Sequence, residues 1–274
     1  NKEKPSRLLV KKNTLLYQHN PVVASIGFLL QTIQENPLSI SSRKSDHIQL
    51  CIDGDVEFKG KTTLFEEVEL LHDALPDLHI SDIDCSTDFA GVPLKAPIII
   101  AAMTGGAEEA DSINRDLASL AEEFGIGFAF GSQRPLLSKG ITAGYKVRDR
   151  AQNTLLLGNI GLVQAVEASV QELEDIIGYS DTNALCVHLN PAMELVQPEG
   201  DQDFRGGLDC IQKLVEELSV PVVVKETGCG ISGSLGARLA SVGVQWIDTS
   251  GAGGTSWVAV ETHRNIPYVG HHPI

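Results

Sequence analysis

Along residues 96–250, short apolar and β-branched runs alternate with stretches whose apolar positions recur every three to four residues. The runs are Ala96–Ala102, Ile126–Gly131, Leu155–Asn159, Ala184–Leu189, Val220–Thr227 and Val244–Ser250. Their near-continuous apolarity predicts strands covered on both faces, as in a parallel sheet. Between them, Ala110, Ile113, Leu117, Leu120, Ala121 and Phe124 share one helical face, and so do Leu208, Ile211, Leu214, Val215 and Leu218. Leu162, Val166, Val170, Leu173 and Ile177 repeat the pattern. Ser232 is placed to cap a helix through Leu235 and Leu239 that closes at Gly243. Residues 133–154 read mainly as loop. Residues 1–40 lack sustained periodicity and read as an irregular arm with a short helix over Val22–Ile33; residues 41–274 read as one domain.

Six strand–helix units in succession predict an α/β fold. A doubly wound sheet and a barrel both satisfy the order. Met103-Thr104-Gly105-Gly106-Ala107, after the first strand, is not the GxGxxG of a dinucleotide fold, which favours the barrel. A closed (β/α)8 barrel takes about 250 residues, whereas about 180 run from Ala96 to the end. The expectation is a TIM (β/α)8-type barrel truncated after about six units, in a sequence record shorter than the natural protein. Asn265–Ile274 start no seventh strand.

Composition narrows the class. Of 274 residues 42% are hydrophobic, and mean hydropathy is near zero, as in soluble globular chains. Aromatics at 5% and 26 glycines lean away from an all-β sandwich. No apolar run approaches the roughly 20 residues of a membrane span, so no membrane association is expected. The net charge of −15 is uneven: residues 1–44 hold seven Lys/Arg against two Asp/Glu, the rest fourteen against thirty-four. A body that acidic repels phosphate backbones and speaks against a nucleic-acid partner. Five cysteines without a CxxC pair fit a reducing, cytoplasmic setting, and neither a disulfide framework nor zinc.

Reacting groups on such a barrel come from the C-terminal strand ends and the loops after them. A lone His in an apolar strand is usually a satisfied core residue. His188 and Asn190, however, are two apart and face the same side, where two polar groups need partners or a ligand. Lys225 follows Val222-Val223-Val224 near the top of a buried strand, where an ammonium calls for an anionic or strongly accepting partner. Glu194, past a Pro-broken loop, suits a hard cation such as Mg2+. Gly251–Thr255 lets backbone amides approach a flat or anionic ligand.

Together these segments resemble one family. Arg43-Lys44-Ser45-Asp46-His47 is similar to the N-terminal signature of the type 2 isopentenyl-diphosphate delta-isomerases. AMTGG (102–106), GSQR (131–134), GNIG (158–161), HLNPAME (188–194), PEGD (198–201), VKETGCG (224–230) and SGAGGTSW (250–257) follow in that family's order. The resemblance covers roughly residues 41–264. It implies an FMN-dependent barrel interconverting isopentenyl and dimethylallyl diphosphate, with NADPH as reductant, Mg2+ and no net flavin redox change. It further implies that Met103, Thr104, Gly105, Ser132, Asn159, Lys225, Ser250 and Thr255 contact FMN, with Lys225 balancing negative charge on the reduced ring. Arg43, Lys44, His47, Ser132, Gln133, Arg134 and His188 are implied for the diphosphate, and Glu194 for Mg2+. His188, Asn190 and position 193 are the implied catalytic set. In this family the Arg-Lys pair serves a neighbouring subunit's site, which implies a homo-oligomer.

Two departures qualify the resemblance. Position 193 is usually Gln, and here it is Met, whose thioether accepts weakly and cannot donate. The strands whose loops grip the flavin phosphate are also missing. These departures keep two alternatives open: an FMN-dependent oxidoreductase on the same barrel, or a truncated, inactive relative.

Overall fold

The computed structural model describes residues 40–265. The expected arm over residues 1–39, its Val22–Ile33 helix and the final nine residues lie outside the described residues. The described chain opens with α1 (Ile40–Asp53), and an antiparallel hairpin follows, β1 (Thr87–Phe89) and β2 (Val92–Leu94). Six strands then form one all-parallel sheet in chain order: β3 (Ile99–Ile100), β4 (Gly127–Ala129), β5 (Leu156–Gly161), β6 (Ala184–Leu189), β7 (Val222–Glu226) and β8 (Trp246–Asp248). The crossovers carry α2 (Glu108–Phe124), α3 (Arg134–Lys139), α4 (Leu162–Glu167), α5 (Val170–Ser180), α6 (Pro191–Val196), α7 (Gly207–Glu217) and α8 (Gly233–Ser241); α9 (Trp257–Asn265) follows β8.

The result is an α/β fold with a curled, half-barrel parallel sheet. All six expected strands form: β6 over the expected residues, β5 running two residues further to Gly161, and the other four shorter at both ends. Strand alternation separates two cores. Ile160, Leu185, Val187, Val222 and Val224 face outward and pack on Leu173, Ile177, Ile211, Leu214 and Leu239 from the helices. Ala129, Leu157, Cys186 and Val223 face inward, and Leu94 of the hairpin packs among them.

Local chemistry sets the helix limits. In α2, Ala110, Asn114, Ala118 and Ala121 form the buried stripe, and Glu108, Glu109 and Asp111 lie in the first turn, where acids complement the helix dipole. The periodic stretch Leu162–Ile177 is two helices, because Ser169 and Glu172 form a reciprocal capping box that starts α5 anew. The segment 133–154, read mainly as loop, contains α3. Pro191 starts α6 instead of breaking the chain, since the first helical turn needs no donor from that position. Glu194 therefore sits on a helix and not in a Pro-broken loop. Residues 59–86 are exposed throughout and irregular apart from two single-turn 3-10 helices. Among the described residues, no helix is long and apolar enough to cross a membrane, and all five cysteines are free thiols.

Candidate functional site

Parallel register builds the inner face in layers. Asn159, Cys186 and Val223 align across β5–β7, and one layer up so do Gly161, His188 and Lys225. Trp246 and Asp248 extend these layers onto β8. The inward side chains floor a cavity of about 400 Å³, within the range of small-molecule sites. Ala129, Leu157, Cys186 and Val223 supply an apolar floor; Lys225, Thr227, Ser250 and Thr255 supply a polar rim. Lys225 is 9% exposed, and its Nζ donates to the Glu226 carbonyl at 3.3 Å.

A second cavity, of about 80 Å³, adjoins the first and shares Ala102, Met103, Lys225, Thr227 and Trp257 with it. Its character is cationic. Arg43, Lys44 and His47 reach it from one face of α1, Arg134 from the start of α3, and Asn190, Met193 and Glu194 from α6 and its cap. Burial, then the neighbouring Arg43, pushes Lys44 down to about 8. Arg134 pairs with Asp201 at 3.5 Å. Glu194 is buried; its Oε1 accepts from Asn190 Nδ2 at 2.8 Å and its Oε2 from the Asp201 amide at 2.9 Å. Among the described residues no three His, Cys, Asp or Glu side chains cluster as a ready metal site. Glu194 thus offers one carboxylate, the sort of partial ligand set that Mg2+ completes with water and substrate phosphate.

The anion that balances this cluster is Glu261 on α9, which is 0% exposed. His47 Nε2 lies 2.7 Å from its Oε1, and Arg264 donates to its Oε2. The Gln197 amide, oriented to satisfy both neighbours, accepts from Arg43 at 3.0 Å and donates to Glu261 at 3.3 Å. His47 also meets the Trp257 ring edge to face, with centroids 5.2 Å apart. Sequence reasoning missed Glu261 and Gln197. Glu261 stands four residues after Trp257, on the helix face shared with it, and no signal short of that helix's placement against α1 singles it out.

Most sequence-predicted residues line these cavities; some do not. Met103, Ser132, Arg134, Asn159, His188, Lys225, Ser250 and Thr255 do. Gln133 is fully buried on the helix side, donating to Ser180 Oγ at 2.9 Å and accepting from the Asn159 amide, so the expectation that it binds substrate is corrected. Ser132 and Gln133 lie past the end of β4, where the chain turns into α3 with Gln133 as its N-cap, and that turn carries Gln133 to the helix side. Thr104 and Gly105 lie beneath the rim. Gly105 sits against the Tyr145 ring, and Thr104 Oγ1 is buried without a partner. Arg43 and Lys44, implied for a neighbouring subunit's site, line the cavity of their own chain, because α1 packs on α9.

His188 lines the smaller cavity, and its surroundings favour the uncharged ring. Asn159 Nδ2 donates to the Phe130 carbonyl, which turns its Oδ1 to His188 Nδ1 at 2.9 Å. Nδ1 therefore carries the proton and Nε2 keeps its lone pair. Burial, then Lys225, pushes the imidazole down to about 3. A neutral ring does not share the work of holding a diphosphate by charge. The native state favours the uncharged ring, so its contribution to stability is complete above the ordinary value of 6.5 and is lost as pH falls from there toward 3. His188→Gln should flatten the loss of stability between these limits, read as urea midpoints against pH. Parallel profiles for variant and wild type would refute this.

Comparison with known proteins then bears on the family. No family model matches the chain. It is 43% identical to the isopentenyl-diphosphate delta-isomerase of Methanococcoides burtonii over 229 residues, 83% of this chain and 63% of that relative. The enzymes of the same name from Nostoc sp. and Synechococcus sp. are each 44% identical, over 81% and 83% of this chain and 64% and 66% of theirs. The chain belongs to the isopentenyl-diphosphate delta-isomerase family. This family member spans a little under two thirds of the length of those relatives. Residues of its resemblance motifs line the cavities: Met103 and Thr227, just past β3 and β7, line both, and Asn159 on β5 and Asn190 just past β6 line the smaller one.

Proposed function

We propose that this protein provides the barrel of a type 2 isopentenyl-diphosphate delta-isomerase, which interconverts isopentenyl and dimethylallyl diphosphate with FMN, Mg2+ and NADPH as reductant. One observation carries the reading: an apolar-floored cavity sized for a flat ligand opens into a cation-lined one, and Lys225 stands at their junction. The residues fit FMN. The floor of the larger cavity offers apolar surface to a planar ring, and Lys225, Thr227, Ser250 and Thr255 supply polar groups at its rim. When bound, the reduced flavin supplies an electron-rich ring that assists proton addition and removal at the alkene without net redox change.

The chain's own residues do the rest. Arg43, Lys44 and Arg134 concentrate positive charge for a diphosphate, with guanidinium forks suited to its paired oxygens. Arg43 Nε is buried without a partner among the described residues, and such an acceptor would satisfy it. Glu194 would hold Mg2+, which would supply further positive charge for the diphosphate, and the Asn190 amide orients the carboxylate. Lys225 balances anionic charge beside the flavin cavity. His188 Nε2 offers a hydrogen-bond acceptor at the boundary, while Asn159 fixes its ring.

The test is turnover of isopentenyl diphosphate under anaerobic, reducing conditions with FMN, NADPH and Mg2+. No conversion would reject the reading, and net two-electron transfer from substrate to flavin would favour an oxidoreductase instead. Met193 tunes the rate. Its sulfur lies 3.7 Å from Asn190 Nδ2 and donates no hydrogen bond. Met193→Gln restores a donor at the cavity wall and should raise isomerase kcat by at least about tenfold. An equal or lower kcat in steady-state assays would show that the thioether does not limit the reaction.

A further inference from the structure

Glu226 is the last residue of β7, one beyond Lys225, so its side chain leaves the strand on the face opposite the cavity. It is buried, and no role in either cavity claims it. Its Oε2 accepts the backbone N–H of Thr227 at 2.6 Å, Gly228 at 2.7 Å and Gly230 at 3.0 Å, and that of Cys229 as well. Four successive amide dipoles thus converge on one carboxylate oxygen, an anion nest closed on an internal anion. The turn needs glycine at Gly228 and Gly230, where φ is +129° and +87°. The held segment is also the rim of the site: Thr227 lines both cavities, Gly228 lines the larger, and Lys225 Nζ donates to the Glu226 carbonyl.

We propose that Glu226 is a positioning residue, which gathers these amides so that Lys225 and Thr227 are held at the cavity junction before any ligand arrives. The inference rests on the flavin reading above and deepens it. Without the carboxylate, four N–H groups lose their acceptor, and a segment with two glycines among four residues regains its freedom. Preorganisation then has to be supplied by the ligand, and affinity falls.

The experiment compares wild type, Glu226→Gln and Glu226→Ala. Hydrogen exchange is followed in the flavin-free protein over a peptide spanning residues 224–231, and FMN affinity by fluorescence quenching. Gln keeps the shape and one neutral acceptor; Ala removes both. Exchange of the loop amides should quicken, and FMN binding weaken, by about tenfold in Gln and further in Ala, since each tenfold step corresponds to the loss of part of one charge-assisted bond. Cooperative unfolding of the Gln variant shows that the body of the protein is intact, and that variant decides the matter if Ala does not fold. Unchanged exchange, or faster exchange with wild-type FMN affinity, would overturn the inference alone. A wild-type protein that binds no FMN would overturn the flavin reading and this inference with it.

Discussion

Lys225→Met weakens FMN binding by about two to four orders of magnitude, the loss expected when one partner of a buried charge interaction is removed. Methionine keeps the length of the stem and its fit against the neighbouring strands, so the change isolates the ammonium. That residue is nine-tenths buried, and among the described residues the ammonium's hydrogen bond is a long one to the Glu226 carbonyl. Such a cation is undersupplied with acceptors, and an anionic ligand in the larger cavity answers that deficit. Fluorescence titration with FMN measures the effect. Equal affinity in the variant would mean that Lys225 does not face the ligand, and the proposed function would lose its main support.

Glu261→Gln destabilises the fold by about 3–5 kcal/mol, because it leaves buried cations without their counter-charge. The side chain is wholly enclosed, and the substitution is nearly isosteric. What disappears is the negative charge facing His47 and Arg264 directly and Arg43 and Lys44 through space. Two of the influences that raise His47 come from Glu261, its hydrogen bond and its charge, while burial pushes the ring down. His47 should accordingly titrate at lower pH in the variant. Urea unfolding with NMR titration of the imidazole tests both statements. An unchanged midpoint would show that Gln197 and solvent suffice to accommodate the cations.

The strand order and inner-face residues were legible because a parallel sheet writes its pattern locally. Short apolar or β-branched runs mark each strand, and alternation decides which side chains face inward. Lys225 stood out on that pattern alone, as a charge one position from three valines, and register then set it beside His188. The RKSDH motif marked Arg43, Lys44 and His47, although the helix that carries them was not read from periodicity; all three reach one cavity. Gln133 shows where adjacency misleads. It is next to two residues that line a cavity, yet as the N-cap of α3 it turns its side chain to Ser180 on the helix side.

Local order along the chain thus specified the repeating units, the polar strand ends and the chemical kinds of group gathered there, since periodicity and turn chemistry act between near neighbours. Charge state and pairing belonged to the assembled molecule. Burial and then Lys225 favour the uncharged His188 ring, a carboxamide 29 residues away sets its tautomer, and the cations of α1 rest on a carboxylate 214 residues beyond His47. Desolvation and Coulomb interaction depend on separation in space, and folding sets that separation without regard to distance along the chain.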